Sequence, residues 1–270
     1  MKLRTNDSDP LVRFGFFADA HYAEKVYGDR HCNNSPAKLR ACIDEFERRG
    51  LNFVISMGDI IDQADDPQTE RAYLTRMNQI FEGFSGPRHA VIGNHDVATL
   101  SKEEFLRHCD SPPVYSFDVG GVHFVVLDGN CHEDGSDFSA GNFSWDEAWI
   151  FSVQLEWLRR DLEAVRQRPV IVFCHENVDD RLWRGERDPH ILCNAAQLRD
   201  VLAGAGNVRA LIQAHYHPGI LTSLNGIDCI GLRAMVVGEG LENNAYAIVS
   251  LYEDGRLAID GFGQQPIYQL

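Results

Sequence analysis

What the chain lacks narrows its function before any motif is considered. The seven cysteines, at positions 32, 42, 109, 131, 174, 193 and 229, are odd in number, scattered, and never spaced C-x-x-C. That spacing argues against a disulfide framework and a thiolate zinc site, and it indicates a reducing compartment. Basic excess is also missing, since Lys and Arg total 25 against 40 Asp and Glu, a net charge of -15. Nucleic acid and acidic membrane surfaces need a basic footprint, so neither is expected as a main partner. A phosphorylated small molecule stays open, because a bound dication reverses the potential locally. No apolar run has the length of a membrane span, and the start, MKLRTNDSDP, has no apolar signal segment, so a cytoplasmic chain is expected. Repeats, low-complexity stretches and linkers are absent too. The expectation is one domain over residues 1–270, long enough to bury a substantial core.

Short β-rich runs alternate with amphipathic stretches. Strands are expected at 12–18, 52–57, 88–92, 114–118, 121–128 and 169–174. A helix with Ser35 as its N-cap and Pro36 as its first residue shows Leu39, Cys42, Ile43 and Phe46 on one face and stops at Gly50. Further helices fit 68–84, a start at Ser101 with Glu104 as a capping box, 152–166 and 194–204. From 208 onward the pattern is strands joined by tight turns, with "EDG" marking a hairpin, so antiparallel structure is expected there. Cys42 and Cys174 fit as small core residues. Residues 129–150 and 176–193 fit neither pattern; loops of that length are usually functional or mobile.

The polar residues that stand out each follow an apolar strand. Asp19 and His21 follow FGFFA, Gly58-Asp59 follows FVISM, and Gly93-Asn94-His95-Asp96 follows HAVI. His175 follows VIVFC, and His215 with His217 follows ALIQA. Open α/β sheets collect ligands at the carboxyl ends of their strands, so these groups should converge. In extended chain, residues i and i+2 point the same way, which would let Asp19 and His21 share one ion and bring His215 and His217 to the same site. Imidazole with carboxylate suits manganese, iron or zinc better than magnesium or calcium. Seven such ligands are too many for one ion and suit two that share a bridge. Taken singly, each motif has a plainer reading: Gly-Asp as a turn, His175 as a core histidine, GNHD as a tight turn. Jointly, in this order and at strand ends, the plainer readings do not hold together.

The series D-x-H, GD, GNHD, H and H-x-H resembles the calcineurin-like metallophosphoesterase superfamily over residues 13 to about 220. The resemblance implies a four-layer α/β/β/α sandwich of two mixed sheets flanked by helices. It implies two divalent ions, manganese or iron foremost and zinc as a third choice. Carried over by position, Asp19, His21, Asp59 and His217 would hold the first, and Asp59, Asn94, His175 and His215 the second, with Asp59 bridging. A water between the ions would ionise near neutral pH, and the ions would offset charge in the transition state. His95 would donate a proton to the leaving oxygen, and Asp96 would orient its ring, or serve only as a turn residue.

Below that level, "FFADAHYAE", "GDIID", "YSFDVGGVHFVVLDG", "FSWDEAWIFSVQLEWL" and the ending "NAYAIVSLYEDGRLAIDGFG" resemble the manganese-dependent ADP-ribose/CDP-alcohol diphosphatase group. Three positions depart from it: His21 stands for a glutamine, Ala214 for a glycine, and GNHD for GNHE. The first moves the ligand set toward the superfamily's commoner pattern. The implied function is hydrolysis of a phosphodiester or phosphoanhydride in a small, nucleotide-like molecule. Alternatives are a cyclic-nucleotide phosphodiesterase, a phosphomonoesterase, or a metal-free interaction module. Tyr22, Arg30, His31, Asn130 and Asn194 are further candidates to border a substrate. The aromatics of 138–149 could stack on a nucleobase, but cover of a sheet edge is the preferred reading. The three arginines of RLWRGER at 181–187 could meet a second phosphate, with a solvated face preferred.

Overall fold

The computed structural model describes residues 9–109, 111–139 and 141–270. The first eight residues used above, and Ala140 of the 138–149 loop, lie outside the described residues.

Two six-stranded mixed sheets form the centre. The first has the order β14 (Tyr268–Gln269), β13 (Leu257–Gly263), β12 (Ala245–Leu251), β1 (Val12–Phe17), β2 (Phe53–Ser56), β3 (Arg88–Ala90). The second has the order β10 (Pro218–Leu224), β11 (Ile227–Arg233), β9 (Val208–Gln213), β6 (Val170–Phe173), β5 (Val122–Val126), β4 (Tyr115–Val119). Helices α1 (Ser35–Arg49) and α2 (Pro67–Phe81) pack together, as do α4 (Ser152–Ala164) and α5 (Ala195–Ala205), with α3 (Lys102–Cys109) against α2. This is the two-sheet sandwich flanked by helices that the resemblance implies.

Alternation along β1 shows how the layers are written into the chain. Val12, Phe14 and Phe16 face the other sheet, while Phe17 faces the helix layer. Phe14 stacks on Phe53 at 4.8 Å and meets Phe124 and Phe173 of the opposite sheet edge-on at 5.6 and 5.8 Å. Such aromatic contacts add to simple burial and lock the sheets in register.

The element ends differ from expectation in one place. Ser35 is not the cap of α1; its hydroxyl donates to the Ala20 carbonyl and ties the helix to the strand loop. Gly50 does end α1, at φ 60. Ser101 and Glu104 form the expected capping box, at 3.1 and 3.2 Å. The chain after 208 is less uniform than its turns suggest. β9 lies parallel to both β6 and β11, and the later strands divide, β10 and β11 joining one sheet and β12 to β14 the other. Turn chemistry reports local hairpins such as β12–β13, but it carries no information on which sheet a strand joins. The 176–193 stretch contains a small hairpin, β7 (Leu182–Trp183) with β8 (Glu186–Arg187). Among the described residues, no helix is long and apolar enough to cross a membrane.

This topology positions the site. β1, β2 and β3 run parallel, and so do β5, β6 and β9. Their carboxyl ends therefore release their loops on one side, where the two sets meet.

Candidate metal centre

The loops after β1 and β2 are laced together by backbone. Asp19 N–H donates to the Gly58 carbonyl at 3.1 Å and His21 N–H to the Asp59 carbonyl at 2.8 Å. Across the sandwich, Ala214 N–H donates to the His175 carbonyl at 2.9 Å, and His215 N–H reaches the Asp19 carboxylate at 3.2 Å. Gly58 and Gly93 make the closeness feasible. A Cβ on Gly58, at φ 94, would lie 2.6 Å from the Gly93 nitrogen and 2.7 Å from His175 Nδ1. Gly58 thus clears space for a neighbouring loop and a histidine ring.

Six non-glycine residues among those described have left-handed backbone, and four of them are Asp19, His21, Asp59 and His215. Such conformations are costly for residues with a Cβ and concentrate at functional sites. They also correct the reasoning from extended chain. Asp19 and His21 do meet, but through two left-handed residues and not through strand alternation.

Among the described residues the donor atoms fall in three overlapping groups, each within 4.8 Å internally: Asp19 with His21 and His217, Asp59 with His175 and His215, and His21 with Asp59 and His95. Asp59 joins them: its Oδ2 is 3.4 Å from His21 Nε2 and 3.3 Å from His175 Nε2. Asp19 Oδ1 lies 3.9 Å from Nε2 of both His21 and His217. The polar atoms fit cations. Asp19 Oδ2, His175 Nε2 and both side-chain atoms of Asn94 are buried without hydrogen-bond partners. Orphaned buried groups are expensive unless something positive or hydrogen-bonding fills the space. Backbone carbonyls orient two rings. His175 Nδ1 donates to the Met57 carbonyl at 2.8 Å, which leaves Nε2 facing Asp59. His215 Nε2 donates to the Trp145 carbonyl at 3.1 Å, which leaves Nδ1 as the ring atom free to coordinate.

Electrostatics favour the neutral donor form at three of the four rings; at His175 burial is outweighed by Asp59 and Asp19, which hold its pKa well above the ordinary value while no cation shares the carboxylates. Burial lowers the pKa of His21 and His215 well below the ordinary imidazole value, and lowers that of His217 to about 3. All three are therefore neutral, with lone pairs to give. Burial raises Asp19 to about 7. Burial also opposes ionisation of Asp59, but His175, His21 and His95 outweigh it and hold the group well below the usual carboxylate value.

The His95 ring adjoins the cluster, its centroid 4.6 Å from that of His21, and its side chain is 19% exposed. Its backbone N–H donates to Asp59 Oδ1 at 2.7 Å, and its Nδ1 lies 3.1 Å from Asp62. Asp62 therefore takes the part the sequence assigned to Asp96. The Asp96 carboxylate instead accepts backbone N–H groups from Asp59, Ile60, Ile61 and Gly93 at 2.8 to 3.3 Å. It holds two ligand loops in place and does not reach the His95 ring.

The substrate candidates divide. Arg30 belongs to the cluster, 2.6 Å from His21 Nδ1 and 3.3 Å from Asp62. Tyr22 does not: its ring is buried against Tyr73 and its hydroxyl is bonded to Glu24 and Arg76. His31 contributes only its backbone, with its N–H donating to Val236 at 2.9 Å. Asn194 clamps Ile150 through both backbone groups and so braces a loop. Asn130 is buried, and its Nδ2 supports the Ile92 carbonyl just before the Asn94 loop at 2.9 Å. The three arginines are also placed: Arg181 pairs with Asp179, Arg187 bonds the Ile191 and Asp146 carbonyls, and Arg184 lies over Trp183.

The 138–149 loop comes closer to the cluster than an edge cover would. Phe143 is 5.7 Å from the His95 ring and Trp145 is 6.3 Å from that of His215. Asp62, the second carboxylate after the FVISM strand, reads from sequence as at most a supporting or helix-start residue, and the structure sets it against the His95 ring. His190, 5.2 Å from the His215 ring and bonded to Asp188, followed no strand and gave no signal.

Comparison with known proteins agrees with this geometry. The calcineurin-like phosphoesterase family profile matches residues 12–219. An Arabidopsis thaliana manganese-dependent ADP-ribose/CDP-alcohol diphosphatase is 36% identical over 143 residues, 48% of this chain and 44% of the relative, so less than half of that protein is spanned. The 3',5'-cyclic adenosine monophosphate phosphodiesterase CpdA of Haemophilus influenzae is 21% identical, over 84% of this chain and 78% of its own. A dimetal phosphatase structure from Danio rerio superposes with a TM-score of 0.82 at 23% identity, covering 97% of this chain and 99% of that one. With a profile match running from the first strand to just beyond the last histidine, this chain belongs to the calcineurin-like phosphoesterase family.

Proposed function

We propose that the protein is a dinuclear metal-dependent phosphohydrolase that cleaves a phosphodiester or phosphoanhydride in a small, nucleotide-like molecule. The observation that carries this reading is the meeting of two donor groups on the two sides of Asp59 Oδ2. Asp19, His21 and His217 would hold one ion, Asn94, His175 and His215 the other, with Asp59 between them. Manganese or iron suits these donors, and a pair of such ions supplies Lewis acidity toward water and phosphoryl oxygens.

The chain's own contribution is position and a proton. Nδ1 of His95 is engaged by Asp62, so Nε2 is the end free to donate to a leaving oxygen. Burial works against charge on this ring, but Asp59 and Asp62 outweigh it and hold the pKa above the ordinary value. The protonated form of His95 is thereby favoured. Phe143 and Trp145 flank the centre, and Trp145 is 44% exposed, an aromatic face available to a base. The nucleotide-like substrate rests on those rings and on the named activity of the Arabidopsis relative.

The test joins metal analysis of the purified chain to hydrolysis of bis-p-nitrophenyl phosphate with Mn²⁺. Specificity constants are then compared for ADP-ribose, CDP-choline, cyclic AMP, glycerophosphodiesters and monoesters. Highest turnover on the diphosphates is expected. Folded protein with neither bound metal nor turnover would sink the enzyme reading, and preference for a monoester would sink the substrate class.

A further inference from the structure

Lys38 of α1 is wholly buried, and among the described residues no carboxylate pairs with it. Its ammonium is ringed instead by four backbone carbonyls, those of Met235, Val237, Gly238 and Asn243, at 2.8, 3.0, 2.7 and 3.2 Å. An ammonium has three N–H groups and no acceptor, so all its donors are engaged by this ring. Taking such a charge out of water is costly, and only good hydrogen bonds offset the cost. Burial brings its pKa down to about 8 against the opposing pull of Glu242. Methionine would fill the same space without that penalty, so the charge itself calls for an account.

The account lies in what the same backbone does on its other side. Residues 234–238 follow β11, and their N–H groups reach the loops of the metal centre. Ala234 N–H donates to the His217 carbonyl at 3.0 Å, Met235 N–H to that of Ala18 at 2.9 Å, and Val236 N–H to that of Asp19 at 3.0 Å. The segment is therefore a strap. Its N–H groups grip two residues assigned to the first ion, while its carbonyls are gathered by Lys38. Asp19 has left-handed backbone, a conformation that persists only where the surroundings hold it. Asn34 and Asn244 also tie this region to α1, through Gly240 N–H at 2.9 Å and the Lys38 carbonyl at 2.8 Å. Neither supplies a positive charge. Four carbonyl oxygens aimed at one point repel one another unless a cation sits among them, as potassium does in rings of carbonyls that replace its hydration shell.

We propose that Lys38 is a positioning residue of the metal centre, a tethered cation at the middle of a carbonyl cage. It holds the Asp19 and His217 loops through the 234–238 strap and touches neither ligand side chain. The role in metal binding rests on the dinuclear reading given above.

Two variants test it. Lys38→Met keeps the apolar stem and removes the charge, and Lys38→Ala also leaves room for a small cation. Mn²⁺ affinity of the full chain is measured by calorimetry, and the urea midpoint is measured on the metal-free protein. Both are read in ammonium chloride and in tetramethylammonium chloride at equal ionic strength. In Lys38→Met at least one Mn²⁺ is expected to bind about 10–100-fold more weakly, the range for loss of a group that orients metal ligands. In Lys38→Ala, ammonium is expected to recover most of that loss and to raise the urea midpoint. Tetramethylammonium, too large for the cage, should do neither. Mn²⁺ affinities in Lys38→Met within about threefold of wild type, well short of that range, overturn the proposal. So does a Lys38→Ala chain on which the two salts act alike, because a mere packing role does not respond to the size of a cation. A Lys38→Ala chain that folds only with ammonium present supports the cage, and one that stays unfolded in ammonium overturns it. A wild-type chain that binds no metal removes the phosphohydrolase reading, while the urea midpoint still reads the cage, so the two failures are told apart.

Discussion

Nδ1 of His95 lies 3.1 Å from a carboxylate oxygen of Asp62, and the second oxygen of the same carboxylate lies 3.7 Å from Nδ1 of His21. One side chain thus touches the candidate proton donor and a candidate metal ligand. Arg30 and Lys25 close on the same carboxylate at 3.3 and 3.4 Å. Burial opposes its ionisation, but the His95 hydrogen bond and these cations prevail and bring its pKa down to about 2. Asp62 is therefore charged at any working pH and holds the imidazolium form of His95.

That coupling fixes the sign of a pH effect. His95 acts when protonated, so activity falls as pH rises through its pKa, which Asp62 helps to hold above the ordinary value. Asp62→Asn is expected to move the alkaline limb of kcat to lower pH and to reduce kcat about 10–100-fold, as loss of an orienting partner does. A pH–rate profile with an unmoved alkaline limb would count against His95 as the donor.

Asp59 is the side chain on which the two halves of the centre meet, with Oδ2 between His21 and His175. Asp59→Asn removes the bridging charge, and both ions are expected to be lost together. Elemental analysis of the purified variant checks this, and one ion retained in full would contradict the bridge.

Trp145 acts through two different parts. Its carbonyl orients His215, and its indole ring is partly exposed at the mouth of the centre. Trp145→Ala keeps the carbonyl, so metal content should stay while the KM for ADP-ribose rises. Base stacking worth about 1–3 kcal/mol corresponds to roughly 5–150-fold. Bis-p-nitrophenyl phosphate, which carries no nucleobase, should show a much smaller change in steady-state kinetics.

Asp96 makes a contrasting case. Its carboxylate accepts the N–H groups of Asp59, Ile60, Ile61 and Gly93. Asp96→Ala would orphan all of them in a buried loop, at a cost of at least about 3 kcal/mol. Urea unfolding of the metal-free protein measures this. A stability within 1 kcal/mol of wild type, roughly the size of an ordinary surface substitution, would mean that the loops hold without it.

The readable parts of the sequence were those with local causes. Phe14 and Phe16 alternate with residues facing the helices, so β1 announces both its element type and its buried face. Gly50 and the Ser101–Glu104 pair mark helix ends through hydrogen bonds made within one turn. The unreadable parts depended on contacts remote in the chain. Asp62 and Asp96 are both carboxylates close to a ligand, and nothing local says which reaches the His95 ring. The outcome turns on the loop after β2 and the loop after β3 folding onto each other across Gly58 and Gly93. Tyr22 follows a ligand in sequence, yet the left-handed turn at His21 precedes its burial against Tyr73.

By itself the sequence determined which side chains stand at strand ends, because strand period and turn chemistry are local. It thereby determined that carboxylate, carboxamide and imidazole would gather at one edge of parallel strands. Only the tertiary structure decided how they face one another. Left-handed backbone at Asp19, His21, Asp59 and His215 and the carbonyls from Met57 and Trp145 all arise from packing between distant segments. Orientation is a property of the assembled loops, since each ring is turned by a partner that lies far away along the chain.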